Sequence, residues 1–140
     1  MRSTFHDGIR ARPVNLSKRL IVSYGDSSWA NAEGMRTQIG MICVITSTNA
    51  LDGSAVASVM EWKSSRTKRV IRSTLAGEAC AADLASDTAF FVACMFDEAL
   101  IESFRSTKAT PVTRCVVCTD CRSLFDSISK VTNTISENAP

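Results

Sequence analysis

Three isolated carboxylates in this chain have the residue type and the setting to bind a divalent cation. Asp26 follows the apolar run Leu20–Tyr24, Asp120 follows Cys115–Cys118, and Glu78 lies near the start of a long apolar stretch. If they converge, they repel one another and are costly to desolvate unless a cation neutralises them. Oxygen ligands without His or thiolate favour Mg²⁺ or Mn²⁺ over zinc.

Two of these acids also have a plainer explanation. Asp26 could begin a turn, because the sequence Asp-Ser-Ser is favourable there. Glu78 could be a first-turn Glu that the helix dipole favours and that reaches water past small neighbours. At 100° per residue, however, it lies over small apolar residues and away from Asp83 and Asp87, which makes it an acid in an apolar stripe.

The apolar periodicities predict the elements that would position these acids in an α/β fold. The predicted strands are Leu20–Asp26, Ile39–Thr48, Ser54–Trp62 and Thr113–Asp120, and the predicted helices are Ser73 or Thr74 to about Leu100 and Cys121–Lys130. Residues 18–130 would form one domain. Residues 1–17 are predicted to be a linker or the remnant of an upstream segment, and 131–140 a polar tail.

The order of these elements predicts where the acids meet. A hairpin, a long helix and a further strand form a crossover, which returns the last strand parallel to one already in the sheet. If that partner is the first strand, Asp26 and Asp120 emerge at the same carboxyl edge, where open α/β sheets place their sites. The start of the long helix then packs over this edge and brings in Glu78.

Composition excludes several other classes of site. The single His6 lies in a polar N-terminal segment, so mechanisms with a His base are nearly excluded. Six scattered Cys, with neither a secretory signal nor a run long enough to span a bilayer, indicate reduced thiols and an intracellular protein. Cys115, Cys118 and Cys121 have the spacing of a zinc site, but strand alternation turns Cys118 away from the other two, and buried structural thiols are the simpler interpretation.

A basic stretch precedes the long helix. Its five cations are Lys63, Arg66, Lys68, Arg69 and Arg72, and no acid interrupts them. Such a run is either a solvated surface or, with its interleaved Ser and Thr, a loop that contacts nucleic-acid phosphates.

Five segments of the sequence also resemble a known family. They are Tyr24-Gly-Asp26-Ser-Ser-Trp29-Ala, Gly40-Met-Ile-Cys-Val, Glu61-Trp-Lys-Ser-Ser65, Arg72-Ser-Thr-Leu-Ala-Gly-Glu78-Ala and Val117-Cys-Thr-Asp120-Cys-Arg-Ser-Leu124. In this order and spacing, over about residues 18–130, the chain resembles the ribonuclease H domain of copia-type retrotransposon polyproteins. The resemblance implies a mixed sheet flanked by helices, with strands 1–3 antiparallel, strand 4 parallel to strand 1, and the last strand and helix of the family missing.

The resemblance further implies hydrolysis of the RNA strand of RNA:DNA hybrids with two Mg²⁺ (or Mn²⁺) ions, in a polyprotein with reverse transcriptase upstream. Asp26, Glu78 and Asp120 match the family's metal-binding catalytic acids. Candidates for lining the nucleic-acid groove are Ser27, Ser28, Trp29 and Asn31, with the five basic residues above. The family uses a fourth carboxylate beyond a fifth strand, for which this sequence has no matching position; neither Asp126 nor Glu137 has a basis for that role.

Two alternatives follow, one from the absence of a position that matches the family's fourth carboxylate and one from the limits of fold analogy. The first is a truncated, catalytically inactive remnant that still binds nucleic acid. The second is a related nuclease or transposase with the same acids and a DNA substrate, because a fold does not fix a function.

Overall fold

The structure, a computed structural model, describes residues 11–34, 36–68, 70–106 and 110–137, and for residues 30–32 and 131–137 it describes the backbone alone. Four strands form one mixed sheet: β1 (Arg19–Ala32), β2 (Arg36–Ser47), β3 (Ser58–Arg66) and β4 (Arg114–Cys118). Their order in the sheet is β3-β2-β1-β4. The first three are antiparallel neighbours, and β4 is parallel to β1. The predicted mixed α/β sheet is confirmed.

Two helices accompany the sheet, α1 (Thr74–Leu100) and α2 (Arg122–Glu137). Ser73 begins α1 as predicted, because its hydroxyl accepts a hydrogen bond of 3.1 Å from the backbone N–H of Ala76. α1 connects β3 to β4, so it is the crossover that makes β4 parallel to β1.

The core lies between α1 and one face of the sheet. The sheet contributes one residue of β1 and alternate residues of β2, and α1 contributes mainly small ones, which lets the helix approach closely. The buried cluster is Ile21, Met41, Cys43, Ile45, Ala85, Ala89, Val92 and Ala93.

α1 is also long and apolar enough, by length and composition alone, to cross a membrane. It has 27 residues and a mean hydropathy of 1.4 over its most apolar window. In length and composition alone it departs from the expectation that the chain has no such run. Part of the helix is buried against the sheet, which is consistent with the core helix of a soluble protein.

A buried carboxylate joins the end of α1 to the starts of β1 and β4. Asp97 accepts hydrogen bonds from the backbone N–H groups of Val112 (2.5 Å) and Thr113 (2.9 Å) and from the Thr113 hydroxyl (2.5 Å). It also pairs with the guanidinium of Arg19 at 2.7 Å. This anchor lies at the beginning of the two parallel strands, and it fixes their alignment.

The first strand is longer than predicted. β1 continues through Asp26 to Ala32, and Asp26 stands opposite Gly40 of β2 and does not begin a turn. The prediction was wrong because the polar residues Ser27 and Ser28 lack apolar alternation. Their backbone is held instead by the antiparallel ladder with β2.

The third strand is displaced toward the C-terminus. It was predicted to end at Trp62 but continues to Arg66, so Lys63 and Arg66 lie on an edge strand and not in a loop. β2 begins early enough to pair Gln38 with Arg66, and an edge strand tolerates charged residues. An irregularity between Cys43 and Val44 also shifts the alternation that the prediction relied on.

The predicted ends of the domain also differ from the structure. α2 was expected to end at Lys130 but continues to Glu137, so much of the predicted polar tail is helical. Near the N-terminus, Arg12 and Ser58 exchange two hydrogen bonds, of 2.7 and 2.8 Å, which attach part of the predicted linker to the domain. His6 lies outside the described residues.

Candidate metal centre

The register of the parallel strands brings two of the three acids together. The last parallel pair joins Tyr24 of β1 to Cys118 of β4. Asp26 and Asp120 each lie two residues beyond this pair, so they stand at the same level, just past the end of the parallel ladder. The predicted meeting of these two acids is therefore a direct consequence of how β4 aligns with β1.

Glycines allow the start of α1 to approach this point. A Cβ on Gly25 would lie 2.5 Å from the backbone carbonyl oxygen of Ala81, and a Cβ on Gly77 would lie 2.8 Å from the hydroxyl of Ser27. A side chain at position 25 would require α1 to shift, because it meets the helix backbone, and one at position 77 would require the Ser27 hydroxyl to move. The close contact carries Glu78, the residue after Gly77, to the end of the parallel strand pair.

The three carboxylates converge. One oxygen from each of Asp26, Glu78 and Asp120 lies within 4.8 Å of the others, and among the described residues these form the one group of three or more potential metal ligands. Asp26 and Asp120 are exposed and Glu78 is buried. A cleft of about 360 Å³ opens beside them, lined by Tyr24, Gly25, Asp26, Cys118, Thr119 and Asp120.

Glu78 has one satisfied oxygen and one unsatisfied oxygen. Its Oε1 accepts a hydrogen bond of 2.7 Å from the Ser27 hydroxyl. Its Oε2 is buried without a hydrogen-bond partner among the described residues, and the residue as a whole is 8 % exposed. A buried carboxylate oxygen without a partner is costly, so it marks a position where a cation or a donor belongs.

The donor set fits a hard divalent cation. All three ligands are carboxylates, two of them accessible from solvent and one with an unpaired oxygen, and this chemistry suits Mg²⁺ or Mn²⁺. No fourth carboxylate of the described chain belongs to the group.

The cysteines do not form a competing metal site in the described structure. All six are free thiols, and none belongs to a group of potential ligands. Cys115 instead donates to the backbone carbonyl of Ala89 at 3.5 Å, within the core. Burial is the main cause that raises the pKa of Cys115 and of Cys118, which disfavours the thiolate that zinc requires.

The residues predicted to line a nucleic-acid groove have separate positions. Ser27 faces α1 and its hydroxyl donates a hydrogen bond to Glu78, whereas Ser28 is exposed. The indole N–H of Trp29 donates to the backbone carbonyl of Ile71 at 2.9 Å, so Trp29 fastens the segment before α1 to β1. The side chain of Asn31 lies outside the described residues.

The basic residues are distributed over two elements. Lys63 and Arg66 are exposed on the edge strand β3, and Lys68 and Arg72 are exposed in the segment that leads to α1. Arg66 makes a long contact, 3.5 Å, with the exposed Glu33. Arg69 lies outside the described residues.

The contact of Ser27 with Glu78 and the roles of Gly25 and Gly77 were not predicted from the sequence. The signal was strand alternation: if β1 continues past Asp26, Gly25 and Ser27 share the face opposite to Asp26, toward α1.

No family profile, curated protein or solved structure matches this chain.

Proposed function

We propose that this chain is a ribonuclease H-type domain that hydrolyses the RNA strand of RNA:DNA hybrids. The observation that carries the proposal is the convergence of Asp26, Glu78 and Asp120, whose carboxylate oxygens lie within 4.8 Å of one another. A buried oxygen of Glu78 without a described hydrogen-bond partner supports it. The sequence segments around these acids support the same family, the copia-type retrotransposon polyproteins. In that setting reverse transcriptase would precede the domain. The free thiols of this chain suit an intracellular compartment.

The chain's own residues contribute position and charge. Glu78 is held by α1 and Ser27, while Asp26 and Asp120 face solvent beside the cleft, where a phosphate can approach. Mg²⁺ or Mn²⁺ held by these acids would supply Lewis acidity toward the scissile phosphate and a lower pKa for the attacking water. No protein nucleophile is required, in keeping with a described site that contains no His.

The exposed cations would contact the nucleic-acid backbone. Lys63 and Arg66 on β3, with Lys68 and Arg72 beyond it, are available to phosphates. Binding through such contacts is largely independent of base sequence and weakens steeply with salt. Selection of RNA would require contacts to the 2′-hydroxyl near the cleft.

The test is a cleavage assay with labelled RNA:DNA hybrid, duplex DNA and single-stranded RNA, each with Mg²⁺, Mn²⁺ or EDTA. We expect cleavage of the hybrid alone, and only with a divalent cation. Asp26→Asn should abolish it, whereas Asp83→Asn, which removes the same charge from an exposed position on α1, should not. Cleavage that persists in EDTA or in Asp26→Asn would refute the proposal, and cleavage of duplex DNA would favour a DNA-directed nuclease.

A second candidate function is nucleic-acid binding without catalysis. It is favoured by the size of the acidic group, since the described residues supply three carboxylates and the resembling family uses four. This candidate predicts salt-sensitive hybrid binding and no cleavage with either cation. It is distinguished from a misfolded chain by a cooperative unfolding transition in the same buffer.

A further inference from the structure

We propose that Ser27 is a positioning residue for the cation site, acting through Glu78. This inference rests on the proposed function, because it assumes that the three acids bind a divalent cation. In this proposal the Ser27 hydroxyl holds Oε1 of Glu78, so that Oε2 stays directed to the cation. Ser27 would therefore act on the site and not as a contact to nucleic acid.

The hydrogen bond divides the two oxygens of Glu78 between two tasks. Ser27 has a single hydroxyl proton, and it is donated to Oε1 at 2.7 Å. Oε2 remains buried without a described partner, within a residue that is 8 % exposed. Hydrogen bonds to a ligating carboxylate orient it, and the loss of such partners commonly weakens metal binding.

The sequence provides space for this contact on the helix side. A Cβ at Gly77 would lie 2.8 Å from the Ser27 hydroxyl oxygen and 3.3 Å from the Thr37 methyl group. A side chain at position 77 would therefore press on the hydroxyl, and glycine leaves it the space in which it reaches Glu78. Ser27, Gly77 and Glu78 form one arrangement, in which a strand residue sets the orientation of a helix carboxylate.

Charge supports the same interpretation. Among the described ion pairs none includes Glu78, so no cationic side chain of the described residues competes with a metal ion for its carboxylate. A hydroxyl donor steadies the carboxylate without neutralising its charge. The negative charge that a divalent cation requires is therefore retained.

The experiment compares Ser27→Ala with Ser28→Ala, an adjacent exposed serine on the other face of β1. Mn²⁺ affinity is measured by calorimetry on the full chain, and thermal unfolding in EDTA verifies the fold. We expect Ser27→Ala to weaken Mn²⁺ binding by about 10- to 100-fold, as is common for lost partners of metal ligands, and Ser28→Ala to leave it unchanged. Gly77→Ala, which displaces the hydroxyl but keeps it in the chain, should weaken binding in the same direction.

Two further readouts separate positioning from other roles. Cleavage by Ser27→Ala should be lost at low Mn²⁺ and recovered at high Mn²⁺, and its affinity for the RNA:DNA hybrid in EDTA should equal that of the wild type. Wild-type Mn²⁺ affinity in Ser27→Ala, or weakened hybrid binding in EDTA, would overturn the proposal for Ser27 alone. A wild-type chain that binds no Mn²⁺ would overturn the cation site and the role of Ser27 with it.

Discussion

Replacing Asp97 by Asn should destabilise the fold far more than the same change at an exposed acid. Asp97 is fully buried and accepts from two backbone N–H groups, the Thr113 hydroxyl and the guanidinium of Arg19. Asn keeps the shape of the side chain but removes the charge and turns an NH₂ group toward donors. At least one of these donors is then left without an acceptor.

The magnitude follows from the kind of contact that is lost. Breaking one partner of a buried ion pair costs about 3–5 kcal/mol, and a hydrogen bond to a charged group contributes about 1.5–3 kcal/mol. Arg19 is partly hydrated, with 16 % of its side chain exposed, so the lower end applies. We expect a loss of about 3 kcal/mol in the free energy of unfolding, or roughly 10 °C in Tm for a domain of this size.

The assay is guanidinium-induced unfolding, followed by circular dichroism, of wild type, Asp97→Asn and Asp87→Asn. Asp87 is an exposed acid on the same helix, so its variant controls for the loss of a charge from α1. We expect the control to lie within about 0.5 kcal/mol of the wild type. If Asp97→Asn is equally close to the wild type, the anchor does not hold α1 to β1 and β4.

The same carboxylate predicts how stability depends on pH. Burial alone would raise the pKa of Asp97, but hydrogen bonds from Thr113, Arg19 and the backbone N–H of Val112 outweigh it, and the pKa is lowered from 3.8. A lowered folded-state pKa means that the stabilisation is present above 3.8 and is lost as the pH falls further. The difference between wild type and Asp97→Asn should therefore be constant near neutral pH and should shrink below about pH 4.

Three further predictions use other parts of the molecule. Without a divalent cation, Asp26→Asn should raise the free energy of unfolding by about 1 kcal/mol, because it removes repulsion between Asp26 and the exposed Asp120, whose oxygens lie within 4.8 Å. A loss of stability would mean that Asp26 is a structural partner. Gly25→Ala should cost about 1–3 kcal/mol and weaken Mn²⁺ binding, because its Cβ meets the α1 backbone, whereas Gly53→Ala has open space and should be neutral. Burial, with Cys115 and Glu61 nearby, raises the pKa of Cys43 to about 11. Iodoacetamide at pH 8 should therefore label the exposed Cys80 and spare Cys43 in native protein, and mass spectrometry measures the labelling of each thiol. Equal labelling of both thiols would contradict the buried position of Cys43.

The architecture was predictable because its signals are local. The Ile, Val and Cys content of β2 and the long apolar run of α1 identify these elements, and the crossover rule then makes β4 parallel to a strand of the sheet. The convergence of Asp26 with Asp120 follows from that one step together with strand alternation. This is why acids far apart in the sequence could be predicted to meet.

The features that were missed depend on tertiary pairing. The polar half of β1 is a strand only because β2 lies beside it, and no pattern in Ser27 or Ser28 reveals this. The hydrogen bond from Ser27 to Glu78 could be predicted only if β1 were already known to continue past Asp26. The anchoring role of Asp97 was not predicted, because it depends on contacts with a segment that follows it by 15 residues.

The most direct test of the central claim is a crystal structure of the chain grown with Mn²⁺, with the anomalous signal of the metal mapped. We predict an anomalous peak about 2.2 Å from carboxylate oxygens of Asp26, Glu78 and Asp120, with Oε2 of Glu78 among the ligands. A peak elsewhere on the surface, or three carboxylates that remain in place with no peak between them, would contradict the claim that this end of the sheet is a metal centre.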